Sequence, residues 1–304
     1  MTKKTEKKST PAASTPATAS KSKLRKGTGS RRETNRIITI YGPFKTRKTG
    51  MCRNLPRGRT KWLISDPNCI PTLRALDKVP HADDVYEMTS LTDLVDFLEE
   101  ALKMAEDAVV EGRDPNEELG IDFLVLDSFT QFSDWHQQHI AASTGQRFLG
   151  DNEKENGWQL FNAQMGRALD CWAALSRYIT CIGIVHAKSK VMKNKGEYAA
   201  FSLSPAMSER LGRLSNWILL KDFVEVIDDA EREKAISEKD DPPVDSPYVV
   251  EADGDEGFKV YKDLVYTRPV GAYVASANSP KLLPTETGYD LCYLLRKDGL
   301  LPEE

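Results

Sequence analysis

The run RIITIYG (36–42) breaks at glycine into PFKTRKTG (43–50), and this junction constrains the chain more than any other stretch. An apolar, β-branched run that ends in glycine reads as a buried strand. The residues after it follow G-x-x-x-x-G-K-[ST], a loop whose backbone N–H groups cradle phosphate. Gly42, Lys48 and Thr49 fall in their places, while Arg47 stands where the second glycine belongs. TGMCRNL (49–55) can then open a helix, which completes the strand–loop–helix order the mechanism needs. The expected cradle is Gly42, Pro43, Phe44, Lys45, Thr46, Arg47, Lys48, Thr49 and Gly50, with Lys48 reaching the β/γ-phosphates and Thr49 holding Mg2+. The plainer reading is a basic surface turn in which Lys45, Arg47 and Lys48 are simply solvated; the strand–loop–helix context favours the phosphate loop.

Arg47 sets a condition on this loop. If its position requires left-handed backbone, arginine costs about 1–2 kcal/mol there relative to glycine. Its guanidinium can itself contact phosphate, which works in the opposite direction. The expectation is a weakened loop that still binds phosphate, with hydrolysis slow or lost.

Further strands and helices alternate along the chain. KWLIS (61–65) and DVYEM (84–88) read as strands, and SLTDLVDFLEEALKMAEDAVVEG (90–112) as a long helix. Ser90 is the expected N-cap, Asp93 stands three residues on, and Gly112 and Pro115 end the helix. IDFLVLDS (121–128) is the clearest buried strand. WQLFNAQMGRALDCWAALSRYI (158–179) reads as a helix running into the strand TCIGIVHA (180–187). Apolar strands alternating with helices predict an α/β fold, a mostly parallel sheet covered on both faces. Beyond 215, SNWILLKDFVEVI, SPYVVEA, GFKVYKDLVYTR and GAYVASA predict later strands, interrupted by an acidic loop at about 228–247. TGYDLCYLLRKDGL (287–300) predicts a short closing helix.

Charge separates the chain into two parts. Residues 1–36 carry eleven Lys/Arg and two Glu, a net of +9, and the rest carries −13 of the overall −4. The tail 1–35, rich in Lys, Ser, Thr, Ala and Pro, has too little apolar surface to offset its ordering entropy and is expected to be disordered. Nucleic-acid contact and a solubilising arm fit its composition equally well. No apolar run approaches the roughly 18 residues of a membrane span, and the basic N-terminus lacks the apolar core of a secretory signal. Five cysteines (52, 69, 171, 181 and 292) form no C-x-x-C pair. They predict free thiols in a reducing cytoplasm rather than disulfides or a zinc site.

Asp127 closes the strand FLVLD, and ligands of open α/β sheets bind at that edge. A carboxylate here, about 80 residues after Lys48, is placed to orient Mg2+; the plainer role is to cap the strand end. His186 ends the next strand near the same edge and is a candidate γ-phosphate sensor. His136 and His139 in WHQQH, spaced i, i+3 without a carboxylate or cysteine pattern, read as helix surface.

Taken together, IYGPFKTRKTG, KWLISD, FLVLDSFTQF, the helix opening at Trp158, IGIVHAKS and LGRLSNWILLKDFVEV resemble the RecA-like P-loop ATPases of bacteriophages. Within them the chain is similar to the Sak-type single-strand annealing and recombination ATPases. The similarity runs from about 36 to 299 and departs from the pattern at Ser276-Ala277-Asn278, where a Lys or Arg is expected. The resemblance implies a RecA-like core over 36–304, with ATP and Mg2+ as cofactors. It further implies assembly into a ring or filament on single-stranded DNA and a recombination, repair or replication role in the cytoplasm of a bacterial host. A phage single-stranded-DNA-binding protein is a further partner. Lys48 and Asp127 become catalytic and metal-holding groups and His186 the polar sensor. The catalytic carboxylate falls on Glu87 or Asp93, after the third strand.

In such proteins a mobile DNA-binding loop follows the strand of His186, here KSKVMKNKGEYAAFSLSP (188–205). Lys188, Lys190, Lys193 and Lys195 would neutralise phosphates, and Tyr198 and Phe201 would stack on bases; an exposed polar hairpin is the plainer reading. Arg210 and Arg213 read as helix-surface charges, with arginine fingers as the alternative. Two other functions compete: a catalytically impaired DNA-binding scaffold, and a small-molecule or nucleotide kinase. The kinase would need an Arg-rich lid and an acceptor pocket, which the sequence does not display.

Overall fold

Apolar runs of five or six residues dictate the centre of the molecule. In the computed structural model, which describes residues 36–151, 157–192, 196–240, 246–252, 258–268, 275–277, 279, 281–287 and 290–302, they become the parallel strands of one sheet. The chain passes through β1 (Ile37–Gly42), α1 (Lys48–Met51), β2 (Thr60–Ile64), α2 (Cys69–Ala75), β3 (Val85–Glu87), α3 (Leu91–Val110) and α4 (Pro115–Leu119). It continues through β4 (Phe123–Asp127), α5 (Phe129–Ser143), α6 (Gly157–Leu175), β5 (Thr180–Met192), β6 (Gly196–Phe201) and α7 (Pro205–Leu214). It finishes with β7 (Trp217–Glu225), α8 (Asp229–Ser237), β8 (Tyr248–Ala252), β9 (Phe258–Tyr266), β10 (Ser276–Ala277), β11 (Thr285–Thr287) and α9 (Leu291–Asp298).

The strand order is β11-β9-β7-β1-β5-β4-β2-β3. Every neighbouring pair from β7 across to β3 is parallel, and β9, β8, β10 and β11 add an antiparallel extension around β7. Side chains alternate between the sheet's faces with period two. Ile37, Tyr41, Leu124, Leu126 and Val185 pack on one side with residues of α3, α5, α6 and α7. Ile38, Ile40, Phe123, Val125 and Ile184 pack on the other with α1, α2 and α9. Both faces being covered is why β1 and β4 are buried at every position and apolar almost throughout.

The long helix α3 forms where its spacing predicts. Leu91, Leu94, Val95, Leu98, Ala101 and Ala105 are buried along one stripe, and Ser90 and Asp93 form a reciprocal capping box. Other segments depart from expectation. The stretch expected as an acidic loop holds α8, started by Asp228 accepting from the Glu231 N–H. Glu231 in turn accepts from Tyr248 Oη and Lys262 Nζ, tying the helix to β8 and β9. The strand of His186 runs on to Met192 and folds back with β6 as an antiparallel hairpin. His136 is buried against Phe161 rather than lying on the surface. All five cysteines are buried and free. The tail 1–35 and the 241–245 part of the acidic segment lie outside the described residues. Among the described residues no helix is long and apolar enough to cross a membrane.

Candidate functional site

Strand register brings the site together. Gly42 pairs with His186, and Asp127 pairs with Ile184 on one side and Ile64 on the other. The carboxyl ends of β1, β4 and β2, with His186 at the same level of β5, therefore present Gly42, Asp127, Ser65–Asp66 and His186 along one edge. Ser65 and Asp66 both donate their backbone N–H to the Asp127 carbonyl, at 2.8 and 3.0 Å. Ser65 Oγ also accepts from Ser128 N at 2.9 Å, which fixes the end of β4 to the end of β2.

Gly42 admits no side chain, because a Cβ there would lie 2.0 Å from the Lys221 carbonyl oxygen of β7. Beyond it the loop winds tightly, with Thr46 Oγ1 donating to the Pro43 carbonyl at 2.9 Å. Lys48 is buried, and its Nζ donates to the Gly42 and Pro43 carbonyls at 3.0 and 2.6 Å. Burial pushes its ammonium down to about 8, against the opposing charges of Asp127 and Asp66.

Thr49 Oγ1 donates to Asp127 Oδ2 at 2.6 Å. The two residues are 78 positions apart in sequence, so the parallel β1–β5–β4 arrangement alone creates this contact. Asp127 is fully enclosed. Burial pushes its carboxyl up, as does the charge of Asp66, while hydrogen bonds from Thr49 and the Cys69 thiol work the other way.

His186 lies between the loop and Asp66. Its backbone N–H is held by Thr130 Oγ1 at 2.9 Å. Its ring stacks on Phe44, with centroids 4.3 Å apart and planes inclined by 10°, and its Nε2 is 3.8 Å from Asp66 Oδ2. That distance is a close polar contact, too long for a hydrogen bond. The imidazole nonetheless holds Asp66's carboxyl below its usual range, aided by Asn68, against partial burial. Phe44, 74% exposed, shields one face of the imidazole.

Arg47 meets the unfavourable condition set by its position: its φ is 54° and ψ 30°, in the left-handed region. Lys45 has φ 62° as well. The Arg47 guanidinium lies 5.9 Å from the Phe223 ring centroid, directed to β7. Replacing Arg47 by glycine removes about 1–2 kcal/mol of strain. It forfeits about 0.5–1 kcal/mol of cation–π attraction and some unfolded-state restriction. The unfolded-state term is about 0.4–1 kcal/mol, so the contributions nearly cancel and Arg47→Gly is expected to leave the melting temperature within about 2 °C of wild type. A larger fall would mean that the contacts of Arg47 outweigh the strain.

The two carboxylates expected as catalytic candidates, Glu87 and Asp93, do not lie beside Asp127. Asp93 Oδ2 accepts from Thr89 N, Thr89 Oγ1 and Ser90 N, so its carboxylate is used in capping α3. Glu87 is exposed on edge strand β3, two strands from Asp127. Asp66 takes the position beside Asp127 instead. The sequence offers a partial cue, because Asp66 follows an apolar strand as Asp127 ends one, but the β2–β4 pairing is what sets the two side by side.

The hairpin residues divide. Phe201 is buried edge-to-face on Tyr41, centroids 4.9 Å apart, which corrects its expected role of stacking on bases. Lys188 is half-buried and donates to the Leu203 carbonyl at 2.9 Å. Lys193 and Lys195 lie outside the described residues, as do the side chains of Lys190 and Tyr198, whose backbones are register partners. Arg210 pairs with Asp170, and Arg213 with Glu209. Both fit the helix-surface reading. Comparison of the chain with protein-family models and with curated proteins gives no match, so the site's chemistry rests on its geometry.

Proposed function

We propose that this chain binds ATP with Mg2+ at the 42–50 loop, hydrolyses it, and works on single-stranded DNA in recombination or annealing. The observation that carries the nucleotide part is the Thr49–Asp127 hydrogen bond, formed beside a buried lysine in a tightly wound loop. A threonine hydroxyl and a carboxylate at 2.6 Å offer two hard oxygen ligands, which suits Mg2+. Mg2+ is bound through one or two carboxylates together with substrate phosphates and water, so no larger acidic cluster is needed. When bound there, it would neutralise charge on the phosphate oxygens.

The chain's own residues supply the rest. Loop N–H groups hold phosphate oxygens, and Lys48 exchanges its two carbonyl partners for the β/γ-phosphates. Asp66, ionised and beside Asp127, is placed to orient the attacking water and accept its proton. His186, between Asp66 and the loop, reads the state of the γ-phosphate and passes it along β5 to the hairpin. The DNA part draws on the sequence resemblance and the lysines of 188–195. Assembly into a ring or filament on the strand draws on the resemblance alone. The scaffold reading draws on Arg47's strain, but the loop is assembled in spite of it.

Turnover of ATP by the full-length chain tests this, with and without single-stranded DNA over a salt series. The expected result is Mg2+-dependent hydrolysis that rises with DNA, together with DNA affinity that falls steeply with salt as counterions are released. ATP binding without any DNA response at low salt would remove the DNA part.

Lys48 also gives the site a pH dependence. Its folded-state value of about 8 is below the 10.5 of a free lysine. The unfolded chain therefore holds more protons between about pH 8 and 10.5, and stability rises with pH across that window. Affinity for ATP runs the other way, because only the charged ammonium attracts phosphate. It should weaken about tenfold between pH 7 and pH 9, and an unchanged affinity would show that Lys48 is not in contact with phosphate.

A further inference from the structure

A second concave site lies away from the phosphate loop, where the start of α3 meets α5 and α6. It is a cleft of about 310 Å³, enough for one nucleoside-sized ligand and within the usual range of small-molecule sites. Thr89 and Ser90, which follow β3, form part of its wall, so it opens from the strand-end side of the sheet, where open α/β folds take ligands.

Its lining combines planar rings with hydrogen-bonding groups of both signs. Trp135, His136 and His139 contribute the rings, and the two imidazoles lie stacked with centroids 6.3 Å apart and planes inclined by 14°. His136 is 93% buried, its Nε2 has no hydrogen-bond partner, and Gln164 also interacts with its ring. A buried polar atom left unpaired is uncommon in folded proteins. Asp96 accepts, Gln164 both donates and accepts, and Arg167 donates. Arg167 is already engaged by Glu99 at 2.6 Å, and Asp96 brings a negative charge, so the cleft has no surplus of positive charge for a free anion. Among the described residues no group of three or more His, Cys, Asp or Glu is placed to hold a metal ion.

We infer that this cleft is a nucleobase-binding site, stacking a base on Trp135 and His139 and reading its edge with Asp96 and Gln164. Base–aromatic stacking contributes about 1–3 kcal/mol per base, and a neutral, planar ligand with mixed donors and acceptors matches each group present. The base can come from a free nucleoside or from a single strand; the chemistry of recognition is the same. The site does not depend on phosphate, so it stands apart from the loop and from the function proposed for it.

The experiment titrates the full-length chain with the four deoxynucleosides, which carry no phosphate, and separately with a short single-stranded oligonucleotide. Wild type, Gln164→Leu, His139→Ala and Lys48→Ala are compared. Gln164 and His139 are exposed, so these changes spare the core. Nucleoside binding weakened at least fivefold by Gln164→Leu and His139→Ala, and untouched by Lys48→Ala, is the expected result for a free ligand. If only the oligonucleotide binds, with the same sensitivity, the base is supplied by a strand. No binding of either ligand, or binding indifferent to Gln164→Leu and His139→Ala, overturns the inference. Magnesium ATP titrated into the same variants separates this failure from failure of the phosphate loop.

Discussion

Lys48→Ala should weaken magnesium ATP binding about 100-fold and abolish measurable turnover. Hydrogen bonds to a charged group contribute about 1.5–3 kcal/mol, and about 3 kcal/mol corresponds to roughly 100-fold in affinity. In the structure that ammonium lies inside the loop, held by the carbonyls of Gly42 and Pro43. The same change removes a buried charge whose burial is unfavourable, as its lowered protonation range shows. The variant should therefore keep its fold, and circular dichroism and melting temperature close to wild type would separate lost binding from lost structure. Affinity within threefold of wild type would show that Lys48 only braces the loop.

Asp66→Asn should have the second large effect, and on a different quantity. If Asp66 orients water and accepts its proton, turnover should fall by about 10²–10⁴ with ATP affinity within about threefold. The uncharged amide keeps the side chain's shape and its contact with Asn68, so the loop itself is undisturbed. Parallel measurement of Glu87→Gln and Asp93→Asn sharpens the result. The first should leave turnover near wild type. The second should cost only a few tenths of a kcal/mol, about the worth of a charge near a helix N-terminus, with turnover per folded molecule preserved. Ser90 remains the N-cap, and the amide oxygen can still accept. Asp66→Asn turning over at the wild-type rate, with Glu87→Gln inactive, would return the catalytic role to β3.

Much of this site could be read in the sequence, for identifiable reasons. Gly42, Lys48 and Thr49 occupy fixed spacings in one continuous loop, and Asp127 ends a run whose apolar character announces a buried strand. Local pattern suffices for such residues. What escaped depends on long-range placement. Asp66 follows the expected strand KWLIS with no motif of its own, and only the pairing of β2 with β4 sets it beside Asp127. Phe201 looked like an exposed aromatic in a lysine-rich hairpin, and only the sheet's position under it buries the ring on Tyr41. The polar strand β11 and the helix α8 carry weak apolar periodicity. The first is fixed by pairing with β9 and the second by the Glu231 contacts to Tyr248 and Lys262. Arg47's left-handed backbone was foreseen as a condition, because the demand comes from the turn and not from the residue.

The most direct measurement is a calorimetric titration of ATP into the full-length chain, performed with Mg2+ and again with a chelator. The Thr49–Asp127 contact makes a specific demand: binding should saturate at one ATP per chain and weaken at least tenfold when Mg2+ is withdrawn. Asp127→Asn should erase that difference, since it removes the carboxylate while keeping a group that Thr49 can bond. No saturable ATP binding, or binding equally tight without Mg2+ in the wild-type chain, would contradict the nucleotide reading of the 42–50 loop.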